Sequence, residues 1–154
     1  MRTFVIVLIV AGAALPAGLP EGAAHWTSAE LQGFEQKLGP KMNAQKIATQ
    51  ALAGYGNHSL LVAHREGSGE AELHETQNDL MVVESGEATL VVGGAVVNPR
   101  KTAPHEIRGP SIRGGDKIAL AAGDVVHIPI KTAHQMFVEG GKQITYFVVK
   151  IDVR

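Results

Sequence analysis

The stretch ELHETQNDLMVVESGEATLVVGG, Glu72 to Gly94, decides how this chain is read. Side chains on a β-strand alternate between faces, so Glu72 and His74 point one way and Leu73 the other. Gln77 and Asn78 lie at the centre of an expected turn from His74 to Asp79. Beyond it, Asp79, Met81 and Val83 share one face of a returning antiparallel strand, which sets Asp79 beside His74 across the strand pair. Gly86 breaks the pattern, and a second apolar strand, Ala88 to Val92, follows. A separate stretch, GDVVHIPIKTAHQ, Gly123 to Gln135, carries His134 at the start of another strand. Glu72, His74, Asp79 and His134 then supply two imidazoles and two carboxylates, enough to leave a bound divalent cation formally neutral. This mix of nitrogen and oxygen suits iron(II), manganese, nickel or zinc better than copper(I) or magnesium. A Glu-x-His pair by itself is more often a solvated strand face, and only the second stretch lifts it above that.

Working outward, short strands continue in both directions. Lys46–Leu52, His58–His64, Glu70–Glu75, Asp79–Glu84, Ala88–Val92, Ala95–Asn98, Val125–Pro129, Gln135–Glu139 and Ile144–Val153 alternate with turns that carry many of the chain's 18 glycines. No helix-length pattern interrupts them, which argues against a parallel βαβ sheet and for an antiparallel sandwich or barrel. One short helix precedes them: Thr27-Ser28-Ala29-Glu30 has capping-box spacing, Leu31, Phe34 and Leu38 recur at a helical period, and Gly39-Pro40 ends it. Pro99 to Asp116 is irregular and reads as an extended hairpin or loop. It bears Arg100, Lys101, Arg108 and Arg113, which would attract an anionic ligand over a barrel mouth or simply form a solvated loop.

Composition narrows the function classes. With 154 residues the chain suffices for a single domain with its own core. A formal net charge of -1, from 14 basic and 15 acidic residues, offers no pull toward nucleic acid or an anionic membrane. The absence of cysteine excludes disulfides, zinc–thiolate sites and thiol nucleophiles. Phe4 to Leu15 is an apolar run after a short basic start. It is too short for a spanning helix, which needs about 20 residues, and fits a secretory leader. The expected organisation is a leader over 1–24, cleaved at Ala11-Gly12-Ala13 or Gly22-Ala23-Ala24, a helix and linker over 25–45, and a barrel over 46–154. A periplasmic or secreted location follows from that reading, with no membrane partner once the leader is removed.

The two stretches together resemble the paired motifs of the cupins, over roughly Ser59 to Lys150. The first cupin motif runs glycine, His-x-His, three or four residues, Glu, six residues, glycine. This chain has Glu72-x-His74, four residues, Asp79, six residues and Gly86. The second motif runs glycine, five residues, Pro-x-Gly, two residues, His, three residues, Asn. Here it is Gly123, DVVHI, Pro129-Ile130-Lys131, Thr132-Ala133, His134, QMF and Val138. The resemblance implies an all-β, antiparallel barrel or jelly roll with a metal site at Glu72, His74, Asp79 and His134. The chain departs from the pattern at Glu72 for histidine, Asp79 for glutamate, Lys131 for glycine and Val138 for asparagine, and Gly67 lies one residue late. Asp79, shorter than glutamate, has a second possible role as a general base or as a partner to His74.

Further residues complete the expected site. His127 faces either the barrel interior, where it would shuttle protons, or the outer sheet. Tyr146 is placed to orient a substrate oxygen or to pack in the core, and Met81 and Met136 to line the pocket. His25, His58, His64 and His105 have no ligand spacing and are read as surface residues. The functional expectation is a barrel that binds a divalent transition metal and acts on a small organic molecule by oxygenase, isomerase or lyase chemistry. The alternatives are a non-catalytic module for a small molecule or sugar with a degenerate metal site, and a purely structural barrel. Two copies would pair through an edge strand, with Lys46–Leu52 available for it.

Overall fold

A computed structural model describes residues 18–153. Residues 1–17, which carry most of the expected leader, lie outside the described part. Thr27 caps the first helix, α1 (Ser28–Gln32), its hydroxyl accepting from the Glu30 amide while the Glu30 carboxylate accepts from the Thr27 amide. The expected single helix is divided at Gly33, and α2 (Phe34–Leu38) follows before a 3-10 turn over Gly39–Lys41.

Twelve strands follow: β1 (Ile47–Gly54), β2 (His58–Arg65), β3 (Ala71–His74), β4 (Gln77–Val92), β5 (Ala95–Val97), β6 (Arg100–Ala103), β7 (Glu106–Gly109), β8 (Ser111–Arg113), β9 (Asp116–Ala121), β10 (Val125–Ile128), β11 (His134–Phe137) and β12 (Ile144–Asp152). All pairings are antiparallel. One layer runs β1-β2-β12-β4-β10, the other β6-β7-β3-β11-β4-β9, and β5 pairs with β8 alone. The architecture is an antiparallel jelly roll, the fold class expected. The irregular segment after Pro99 resolves into the β6–β7 hairpin and β8.

The 16-residue β4 belongs to both layers. Its first half pairs with β12 and β10, its second with β11 and β9. Sequence reading cuts it into two strands at Gly86, whereas the chain bends there and continues. Across from β12 the register slips beside Glu84, and Gly86 takes φ +78° with space for no side chain, since a Cβ would overlap the Gln143 carbonyl oxygen. A bulge followed by a glycine is how a strand turns a corner without losing its ladder.

A second correction concerns β3 and β4. They are not partners: β3 lies between β7 and β11, while the start of β4 lies in the opposite layer. Glu75 and Thr76 therefore carry the chain from one layer to the other, and Asp79 meets His74 across the barrel interior. Inward residues Ala63, Met81, Val83, Leu90, Leu120, Ile128, Met136, Val138, Ile144, Tyr146 and Val148 fill the barrel. On the outer surface of the first layer, Leu38, Leu31 and Phe34 from the helices pack on Ala48, Val62, Leu52 and Phe147. This is why the helical period and the strand alternation are both needed.

Two substitutions test the backbone. Gly86→Ala is expected to lower stability by at least about 2 kcal/mol, from the left-handed φ and the carbonyl clash together. Gly54→Ala, with nothing within 4 Å of the added carbon, should stay within about 0.5 kcal/mol. Denaturant unfolding of both proteins reads the difference. Lys131, at the position where cupins carry glycine, has φ +60°, so Lys131→Gly should raise the midpoint by the equivalent of about 1 kcal/mol.

Candidate metal and ligand site

Register sets the site. His134 on β11 stands opposite Glu72 on β3, and Glu72 stands opposite Arg108 on β7. In the other layer Lys150 on β12 stands opposite Asp79 on β4. Lys131 donates its amide to the His74 carbonyl at 2.7 Å, tying the two sequence motifs together through the backbone. The facing pairs bring Glu72, His74, His134, Asp79 and Lys150 to one end of the barrel interior.

Glu72, His74 and His134 each offer one donor atom, and the three atoms lie within 4.8 Å of one another. His74 Nε2 is 3.8 Å from Glu72 Oε2. Ligand atoms each about 2.1 Å from an ion stand about 3–3.5 Å apart, so the set is more open than a loaded site and would have to contract around an ion. Asp79 is close to both imidazoles, at 3.4 Å from His74 Nε2 and 3.7 Å from His134 Nε2. Its carboxylate is occupied, however: Lys150 Nζ lies 2.9 and 3.0 Å from its two oxygens. Lys150 Nζ also lies 3.2 Å from His74 Nε2. An ammonium only donates, so this contact and the one from His74 Nε2 to Asp79 call for opposite protonation of the same nitrogen, and only one of them is a hydrogen bond at a time.

Glu72 is oriented by arginines. Its Oε1 accepts from Arg65 Nη2 at 3.3 Å and from Arg108 Nη1 at 3.1 Å, which leaves Oε2 turned toward His74. Arg65 in turn donates from Nε to the Tyr146 hydroxyl at 2.7 Å. Its guanidinium lies against Gly69, where a Cβ would push Nη1 aside. Gln135 fixes that turn by donating to the Gly69 carbonyl at 2.9 Å and the Pro110 carbonyl at 3.3 Å.

The electrostatics suit cation binding at neutral pH. Burial pushes Glu72 up, but Arg108, His134, Arg65 and Lys150 outweigh it and hold the carboxyl below the usual range. Burial likewise raises Asp79, and the contacts with His74 and Lys150 reverse the direction. Burial pushes His134 below the ordinary imidazole value despite Glu72 and Asp79, which favours its neutral form. Burial raises the Tyr146 hydroxyl, so it stays protonated. Ionised carboxylate and neutral imidazoles are the states a divalent transition metal requires.

The site opens into a cavity of about 310 Å³. Met81, Met136 and Tyr146 line it, as do Glu72, Asp79 and His134. His127 does not: on β10 it stands opposite Leu80, whose neighbours Asp79 and Met81 face inward, and it is exposed on the outer surface. Its expected role as an interior proton shuttle is withdrawn. His64 is a second correction, since it is 1% exposed and held by Thr145 Oγ1 at 2.8 Å. Arg65, Arg108 and Lys150 are site residues that the motifs do not name. Strand parity points to two of them, because Lys150 continues Tyr146 and Val148, and Arg65 continues Leu61 and Ala63. Arg108 comes from a segment without alternation.

No protein-family model matches the chain, and no curated protein does. Solved structures do. The polyketide cyclase RemF from Streptomyces resistomycificus matches at TM-score 0.51 and 17% identity, over 71% of this chain and 68% of its own. The protein TT1209 from Thermus thermophilus gives 0.54 and 15%, over 77% and 95%. A cupin-2 domain from Rhodospirillum rubrum gives 0.52 and 18%, over 71% and 62%. Jelly-roll topology, two motifs in order and these likenesses establish the cupin fold for this chain.

The buried ionisable groups make stability depend on pH. For the metal-free protein, the unfolded chain takes up a proton at His134 as pH falls through about 6.5, whereas the folded chain resists it. Stability should therefore decline as pH drops from about 7.5 to about 5, and less so in His134→Asn. The lowered pKa values of Glu72 and Asp79 contribute stability that is fully present above about 4.3 and lost below it. Thermal midpoints measured across this range for both proteins check the sign.

Proposed function

We propose that the barrel binds a divalent transition metal through Glu72, His74 and His134, and acts on a small organic molecule held in the adjoining cavity. The observation that carries this is the convergence of three donor atoms within 4.8 Å, with burial or charged neighbours that favour the ligating forms of Glu72 and His134. When bound, an iron, manganese, nickel or zinc ion would polarise a carbonyl or hydroxyl oxygen of the ligand. The chain's own groups supply the rest. Lys150, held by Asp79, bears a proton at the cavity wall, and Tyr146 presents a hydroxyl fixed by Arg65. Met81, Leu90, Met136 and Val148 exclude water from the ligand's apolar part. Oxygenase, isomerase and lyase reactions all fit these parts. The similar fold of a polyketide cyclase supports an enzyme reading without selecting the reaction.

A second reading has its own observation. The Lys150 ammonium already sits between His74 Nε2 and Asp79, as an internal cation would. That favours a non-catalytic module whose metal site has been replaced. We also infer export to a periplasmic or secreted location, supported by the apolar run Phe4–Leu15 and the small residues after it. Pairing of two copies is supported by β1, which among the described strands has a partner on one side only.

Elemental analysis of the purified protein separates the two readings. Under the metal reading, a stoichiometric transition metal is recovered from the wild type, and its affinity falls by at least about tenfold in His74→Ala and His134→Ala. Asp79→Asn should retain it, since Asp79 is committed to Lys150. Metal-free wild type with a thermal midpoint unmoved by iron, manganese, nickel or zinc would overturn the metal reading in favour of the second.

A further inference from the structure

The cavity has a charge pattern that the metal reading does not use. Arg65, Arg108 and Lys150 line it together with Glu70, Glu72 and Asp79, so its cations and carboxylates balance. At the rim the Arg100 guanidinium sits on Glu70 at 2.6 Å, and Arg108 also contacts Glu106, so the balance extends to the mouth. A divalent ion would leave the cavity with a surplus of two positive charges, and a surplus in a partly enclosed space favours an anionic ligand.

The surplus has a location. Once Glu72 Oε2 is committed to a cation, its charge is shared, and the two guanidiniums on Oε1 lose part of their counter-charge. Arg65 Nη1 is buried against Gly69, so Arg65 can offer a ligand only the nitrogens it now gives to Glu72 and Tyr146, whereas the Arg108 side chain is 31% exposed. The arginine fork matches carboxylate geometry. The route inward carries paired charges. A second pocket of about 430 Å³, lined by Arg100 and Ser68, shares Asn43, Ile47, Glu70 and Arg108 with the first. The opposite wall of the first cavity is apolar, from Leu61, Met81, Leu90, Met136 and Val148.

We infer that the ligand of this cavity is a small organic acid, its carboxylate taken by Arg65 and Arg108 and its compact apolar body by the wall formed by Leu61, Met81, Leu90, Met136 and Val148. The inference rests on the metal reading for the size of the charge surplus, and on Arg65 and Arg108 for the recognition itself. At about 310 Å³ the cavity lies at the small end of ligand pockets, which suits a compact acid.

Isothermal titration with two matched pairs of probes, butyrate against butyramide and benzoate against benzamide, tests the inference, with elemental analysis of the same samples. Metal-loaded protein should bind each acid at least about tenfold more tightly than its amide, equivalent to about 1.4 kcal/mol. Arg65→Gln and Arg108→Gln should each remove most of that preference, lowering acid affinity more than amide affinity. If either variant fails to fold, the salt dependence of the wild type decides: acid binding weakens as ionic strength rises and amide binding does not. Equal affinity for acid and amide, or a preference that survives both arginine variants or is indifferent to salt, overturns the inference. Metal present without acid preference refutes the ligand class and leaves the metal site standing. Acid preference with arginine dependence in a metal-free protein supports the ligand class and refutes the metal site.

Discussion

One strand shared between two sheets is the constraint from which the rest of the molecule follows. β4 gives hydrogen bonds to β12 and β10 before its corner and to β11 and β9 after it. Because a single backbone serves both layers, the angle between them is fixed at Gly86 and not by side-chain packing alone. The interior then has a defined width, and groups from opposite layers meet across it. Asp79 reaches His74 and His134 only because the first half of β4 faces β3 and β11 over that gap.

Charge is the second organising influence. An isolated ionised group in such an interior would shift its pKa or unfold the site, and here each is answered by a neighbour set by register. Glu72 is answered by Arg108 on the adjacent strand and by Arg65, while Asp79 is answered by Lys150 on the adjacent strand. Removing one partner from such a pair usually costs about 3–5 kcal/mol, although the pair as a whole adds little stability over an apolar core. The arrangement is better understood as positioning. It holds one oxygen of Glu72 away from the arginines and turned toward His74.

How much of this is legible in the sequence depends on whether a feature is local. Strand alternation, the glycine corners and the capping box are short-range properties, and the jelly roll follows from them with the two motifs. Glu72, His74 and His134 are also legible, because two motifs name them. The pairing of β3 with β4 is misread because a polar turn between two strands looks the same whether the chain forms a hairpin or crosses between sheets. Asp79 is legible as a neighbour of His74, but its ion pair with Lys150 is not, because Lys150 lies far along the chain and is brought near only by the β4–β12 register. His127 fails for a related reason: parity gives two faces, and only the β10–β4 register says which is inside. Arg108 has no alternation to reveal it, since β6 to β8 are short and their outward residues carry charge.

The position of β12 has a consequence for how the chain acquires its fold. It lies between β2 and β4, and its Tyr146 and Lys150 complete the cavity, yet Tyr146 meets its Arg65 partner at a separation of 81 residues. While the earlier strands emerge from a ribosome, the central slot of that sheet stays vacant, and β2 and β4 have no ladder to join them. Non-local closure of this kind is slow. A chain that cannot close until Ile144 to Asp152 arrive stays open along that seam for most of its synthesis.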